Sequence, residues 1–136
     1  KGFVERHAPS LSTAHTRVVA VDTVGSPHLH AVECEGMLVH SDYDAELKDL
    51  LSAAAADRGV ELGRGLRFSF ATDALRAMRA GYRAALIASV NEFKAPANYH
   101  WRTDHADNVD YGTVSDAVEV CDGLIRRLAR PAPAPA

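Results

Sequence analysis

Arg17-Val18-Val19-Ala20-Val21-Asp22-Thr23-Val24-Gly25 is the stretch from which the fold class can be read. After Arg17 the run is apolar and largely β-branched as far as Val21. Such a run suits a strand covered on both faces, as in the sheets of α/β proteins. Asp22 puts a carboxylate at its end, and Gly25-Ser26-Pro27 breaks it.

Outward from this strand, extended and helical patterns alternate. Residues 1–8 read as the back half of an amphipathic helix with Phe3 and Val4 on one side, and Pro9 to Thr16 as a loop. His30 to Glu35 reads as a second strand, ended by Gly36. Ser41 or Asp42 is expected to cap a helix running to about Arg58, with Tyr43, Leu47, Leu50, Leu51 and Ala54 along one face and Gly59 as its left-handed terminator. Val60 to Phe70 holds one or two short strands, and Thr72 caps a short helix through Ala80. Ala84 to Val90 is another apolar strand, followed by a long polar loop from Asn91 to Gly112, of a kind that is usually functional. Thr113 is expected to open the last helix, with Asp116 completing a capping-box-like start. Val114, Ala117, Val118, Cys121, Leu124, Ile125 and Leu128 form its apolar stripe.

This order predicts an α/β fold: a partial three-layer sandwich with a largely parallel central sheet flanked by helices. The 136 residues suffice for one core, placed at residues 1–130, and the Pro/Ala tail at 131–136 is expected to be disordered. The opening residues look like the interior of an element, so the chain is expected to be a piece of a longer protein.

Composition excludes several classes. The net charge is -3 and no Lys/Arg cluster forms a nucleic-acid footprint, so no nucleic-acid partner is expected. No apolar run approaches a membrane span. Cys34 and Cys121 do not make a disulfide framework and read as buried thiols acting as small hydrophobes. There is no GxGxxG, no P-loop and no Gly-x-Ser-x-Gly elbow, which leaves the reading of a flavodoxin-like or nucleotide-binding α/β domain weak.

The chemistry concentrates in Asn98-Tyr99-His100-Trp101-Arg102-Thr103-Asp104-His105-Ala106-Asp107-Asn108-Val109-Asp110. A neutral imidazole is a strong zinc ligand, and a phenol beside it can donate a hydrogen bond to developing negative charge. In α/β sheets ligands collect at the carboxyl ends of strands. Asp22 closes one strand and His100 follows another, so both belong at the same rim.

These motifs resemble the C-terminal half of the catalytic domain in the M28 family of zinc-dependent aminopeptidases, over most of residues 1–129. Val19-Ala20-Val21-Asp22-Thr23-Val24-Gly25 resembles the family's strand ending in a metal-binding Asp. Phe70-Ala71-Thr72-Asp73-Ala74-Leu75 resembles its Ser/Thr-Asp helix opening, and Ala80-Gly81-Tyr82-Arg83-Ala84-Ala85-Leu86 its helix-Gly-strand junction. Tyr99-His100, Thr103-Asp104 and Asp107-Asn108-Val109-Asp110 resemble its closing signature, the most specific of these blocks.

The resemblance implies a site of two zinc ions acting on a peptide substrate, releasing N-terminal residues. Asp22 matches the carboxylate ligand of one zinc, His100 the imidazole ligand of the other, and Tyr99 the phenol at the oxyanion. The family's His-x-Asp and its Glu-Glu pair have no counterpart at the matching places. His40-Ser41-Asp42 imitates the first but follows the second strand, and reads as surface capping. Two ligands cannot hold two zinc ions, because stable sites take three or four protein donors. The chain alone is therefore expected to bind zinc weakly and to hydrolyse nothing.

Other polar residues have plainer readings. Asp73 serves either a helix start or the site's surroundings, and Asp104, Asp107, Asn108 and Asp110 read as loop-closing hydrogen bonders. His7, His15, His28, His30 and His105 read as surface or packing residues. The alternative to a peptidase is a peptidase-like binding or scaffold module that has no catalytic role. In either case the strand at 17–24 is expected to lack a neighbour on one side, an edge that invites self-association.

Overall fold

The computed structural model describes residues 2–129; Lys1, Arg130 and the tail predicted at 131–136 lie outside them. In chain order the elements are α1 (Gly2–His7), β1 (Arg17–Val21), β2 (His28–Ala31), β3 (Cys34–Glu35), β4 (Ser41–Asp42), α2 (Ala45–Arg58), β5 (Arg67–Phe68), α3 (Ala74–Arg79), β6 (Arg83–Val90), a 3-10 turn (Ala106–Asn108) and α4 (Tyr111–Ala129).

β6 is the central element. It pairs in parallel with β1, in the register Arg17 with Arg83 through Val21 with Ile87, and antiparallel with β2. A second small sheet has β3 between antiparallel β4 and parallel β5. The α/β class expected from the sequence is present, and the sheets are mixed.

Alternation along β6 builds the layers. Ala85 and Ile87 point into a cluster formed with Leu47, Leu51 and Ala54 of α2 and Ala117, Val120 and Leu124 of α4. Ala84, Leu86, Ala88 and Val90 point the other way, against Ala74 and Ala77 of α3, Tyr82, Phe68 and Tyr43, with Val4 of α1 at the margin. Helices thus lie on both faces, and removing Ile87 from water is worth about 1.5–3 kcal/mol. The strand covered on both faces is β6. β1 was expected in that role, but it lies at the sheet's edge, and Val21 is 49% exposed. An apolar run reports what a strand can bury; whether a neighbour covers it is a matter of sheet order.

Three further expectations are corrected. The predicted strand at His30–Glu35 is two strands in different sheets. Asp44, not Ser41 or Asp42, caps α2: its Oδ1 accepts the Leu47 amide at 2.8 Å. Ser41 and Asp42 form β4 instead, and Tyr43 packs into the cluster on the opposite face of the sheet from α2. Gly59 ends α2 at φ 67°, as its position predicted.

The third correction concerns α4. The helix begins at Tyr111, and Asp110 rather than Thr113 caps it, its Oδ1 accepting the Thr113 amide at 3.0 Å. Its buried face is Thr113, Ala117, Val120, Gly123 and Leu124, while Val118 and Ile125 of the predicted stripe are 63% and 65% exposed. The cause is Gly123. With no side chain there, α4 turns this face onto Ala54 of α2, where an added Cβ would meet the Ala54 Cβ and carbonyl oxygen at 3.3 Å.

Candidate functional site

The parallel pairing of β1 with β6 brings their carboxyl ends to one rim. Asp22 is the first residue past β1, and its amide still follows the ladder by donating to the Ile87 carbonyl at 3.0 Å. The loop after β6 folds back over this rim. Together they enclose a cleft of about 380 Å³, walled by Thr23, Gly25, Ser26, Asn98, Tyr99, His100, His105 and Asn108 among others. His100 and Tyr99 line the cleft, whereas Asp22 adjoins it through Thr23.

Tyr99 and His100 act as one body. Their rings stack at a centroid distance of 3.9 Å and an interplanar angle of 17°. Both are exposed, with Tyr99 at 45%. No side-chain hydrogen bond or ion pair engages the Asp22 carboxylate or the His100 ring among the described residues. Asp22 is half-buried.

The backbone that presents them is strained. Thr23, Asn98 and His100 are non-glycine residues in the left-handed region, at φ 52°, 60° and 62°. Each such residue costs about 1–3 kcal/mol and persists where its surroundings over-determine it. Here they do. Ser89 donates through both N and Oγ to the Thr23 carbonyl, and the Ser26 hydroxyl accepts the Ala97 amide. The Asp110 amide donates to the Gly25 carbonyl at 2.9 Å, and Thr113 Oγ1 to that of Pro27 at 3.2 Å.

Asn108, His105 and Asp107 bond locally within the loop. Asn108 Nδ2 donates to the Thr103 carbonyl at 2.8 Å and lies 3.2 Å from His105 Nε2. Asp107 lies 3.8 Å from His105 Nδ1. Loop closure accounts for Asn108 and Asp110, as expected. His40 is exposed and far in sequence from this rim, on the turn between β3 and β4. Asp73 sits at the start of α3 and lines a separate groove with Phe3, Val4, Arg17 and Ala20.

Sequence reasoning passed over Ser26 and Ser89. Ser89 carried a usable signal, a hydroxyl inside the apolar run Leu86-Ile87-Ala88-Ser89-Val90, since a buried hydroxyl must find partners. Which partners they are depends on loops distant in sequence.

An imidazole and a carboxylate are donors of the kind zinc takes. Their number falls short, because among the described residues no group of three or more His, Cys, Asp or Glu converges on one point. These residues alone therefore do not make a complete zinc site.

No family model and no curated protein matches the sequence. Among solved structures, the chain is similar to the crystal structure of the LapA aminopeptidase of Legionella pneumophila, at a TM-score of 0.68 and 12% identity. The match covers 97% of this chain and 34% of that one, so the chain spans about a third of the length of the structure it resembles. At this identity the likeness establishes the fold alone: a mixed α/β arrangement that matches part of the fold of that structure.

Proposed function

We propose that the chain is part of a zinc-dependent aminopeptidase of the M28 type, removing N-terminal residues from peptides. It would supply Asp22 and His100 as metal ligands and Tyr99 as a hydrogen-bond donor to the substrate carbonyl. The observation that supports this reading is the parallel pairing of β1 with β6, which puts the strand end before Asp22 and the end of the strand that leads into the Tyr99–His100 loop at one rim, in a fold similar to that of an aminopeptidase structure. A pair of zinc ions in such an enzyme activates water and polarises the scissile carbonyl. This chain's own contribution is orientation. The stacked Tyr99–His100 unit fixes a phenol beside an imidazole, and the strained loop holds both toward the cleft.

Two donors are too few to retain zinc against its hydration, so this chain by itself is inactive in the proposed scheme. Zinc titration calorimetry on the chain tests this. The expected affinity is micromolar or weaker, and tighter binding contradicts the division of ligands proposed here. The enzyme reading itself is tested in the complete protein, where Asp22→Ala and His100→Ala should each lower zinc content. Unchanged zinc content in both variants overturns it.

The small donor set also keeps a second reading in play, a peptidase-like binding module with no catalytic role. The sequence that accompanies this chain in its gene separates the two. A His-x-Asp and a Glu-Glu pair there support the enzyme, and their replacement supports the module.

A further inference from the structure

Two serines lie beneath the cleft and take no part in the proposed chemistry. Ser89 is the penultimate residue of β6 and is 0% exposed; Ser26 is 2% exposed. The Ser89 hydroxyl donates to the Thr23 carbonyl at 2.8 Å and accepts the Ser26 amide at 2.7 Å. The Ser26 hydroxyl then accepts the Ala97 amide at 2.8 Å. The two serines, joined by the Ser26 amide, thus connect the residue after Asp22 to the segment that ends in Tyr99–His100.

We propose that Ser89 and Ser26 are positioning residues, forming a relay that sets the placement of the Asp22 segment relative to the Tyr99–His100 segment. The proposal rests on the reading that these segments serve one site. The Ser89 hydroxyl donates and accepts at once, and Ser26 donates through its amide while its hydroxyl accepts, so each serine stands between two backbone segments. Burial removes competing water and strengthens both bonds. Thr23 on one side of the relay and Lys94, Asn98 and His100 on the other are non-glycine residues in the left-handed region. The last backbone bond between the β1 and β6 segments is that of the Ser89 amide to the Thr23 carbonyl at 3.2 Å, and beyond it the serine hydroxyls carry the connection.

Amide hydrogen exchange followed by NMR on the full chain tests the relay without any metal. In Ser89→Ala the Ala97 amide, which Ser89 does not touch, should exchange about tenfold faster than in the parent chain, while the amides of α2 keep their protection. A folded Ser89→Ala chain in which Ala97 keeps its parental protection overturns the proposal. Should Ser89→Ala fail to fold, Ser26 decides. Ser26→Ala should shift the His100 ring resonances and Ser26→Thr, which retains the hydroxyl, should restore them; identical spectra for the two variants overturn it. Zinc added to the parent chain at millimolar concentration reports separately on the functional reading. If the Asp22 and His100 resonances do not respond together, the shared site is lost, and the exchange data still decide whether the relay exists.

Discussion

The Arg83 guanidinium grips the Asp44 carboxylate through both oxygens, Nε to Oδ2 at 2.8 Å and Nη2 to Oδ1 at 2.9 Å. Asp44 Oδ1 also caps α2, and the Asp44 amide donates to the Ala84 carbonyl. One side chain therefore joins the start of the central strand to the start of the helix that covers it. The Arg83 guanidinium holds the Asp44 carboxyl below the usual carboxylate range. Asp44→Ala should lower stability by more than the roughly 1 kcal/mol typical of a lost cap. Asp44→Asn keeps a capping oxygen and should fall between the parent chain and Asp44→Ala. Urea midpoints measure both, and equal midpoints for the two variants would mean that the cap contributes nothing.

Glu33 is held by donors from three different residues. The Arg64 Nε donates to it at 2.8 Å, Lys48 pairs with its other oxygen, and the Gly65 amide adds a third bond. The Arg64 hydrogen bond leads in holding its carboxyl down at about 2, from an ordinary value near 4.5. A depressed carboxylate contributes stability that is present above its unfolded value and lost as pH falls toward the folded one. Glu33→Gln should therefore be less stable than the parent at neutral pH, with the gap closing between about pH 4.5 and pH 2. Denaturant midpoints across that window check it, and a gap independent of pH would sink the assignment.

Gly123 sets how closely α4 approaches α2. Gly123→Val puts branched carbons where Ala54 already stands. It should cost roughly 1–3 kcal/mol through overpacking, despite valine's better helix propensity. Thermal unfolding by circular dichroism reads this directly. A neutral effect would show that the helix pair slides apart without penalty.

β1 pairs on one side only among the described residues. Its open edge runs beside an apolar groove of Val21, Val24, Val114, Val118 and Ile125. No charge or proline interrupts the strand between Arg17 and Asp22, the devices by which edge strands commonly avoid pairing. The chain should therefore self-associate as its concentration rises, and Val21→Lys should suppress this. Light scattering over a concentration series decides it; a parent chain that stays monomeric throughout contradicts the expectation.

Much of the architecture could be read locally. The apolar run of β6, the Gly59 terminator, the helix over most of Ala45–Arg58 and the long loop after Val90 all announce themselves through spacing and backbone chemistry. Likewise, the strand patterns predicted parallel pairing, and β1 beside β6 has it. These signals are short-range, set by a residue's own conformational preferences and those of its near neighbours.

What could not be read depends on partners far along the chain. Whether a β-branched run sits at the centre or the edge follows from strand order, so β1 and β6 look alike as strings and differ in burial. The face of α4 that turns inward follows from the close approach of Gly123 to Ala54, and α4's own apolar spacing does not include Gly123. Ser26 meets Ser89 across 63 positions, a distance over which no periodicity carries information. Hydrogen bonds and steric fit act over a few ångströms, and only folding brings such residues within that range.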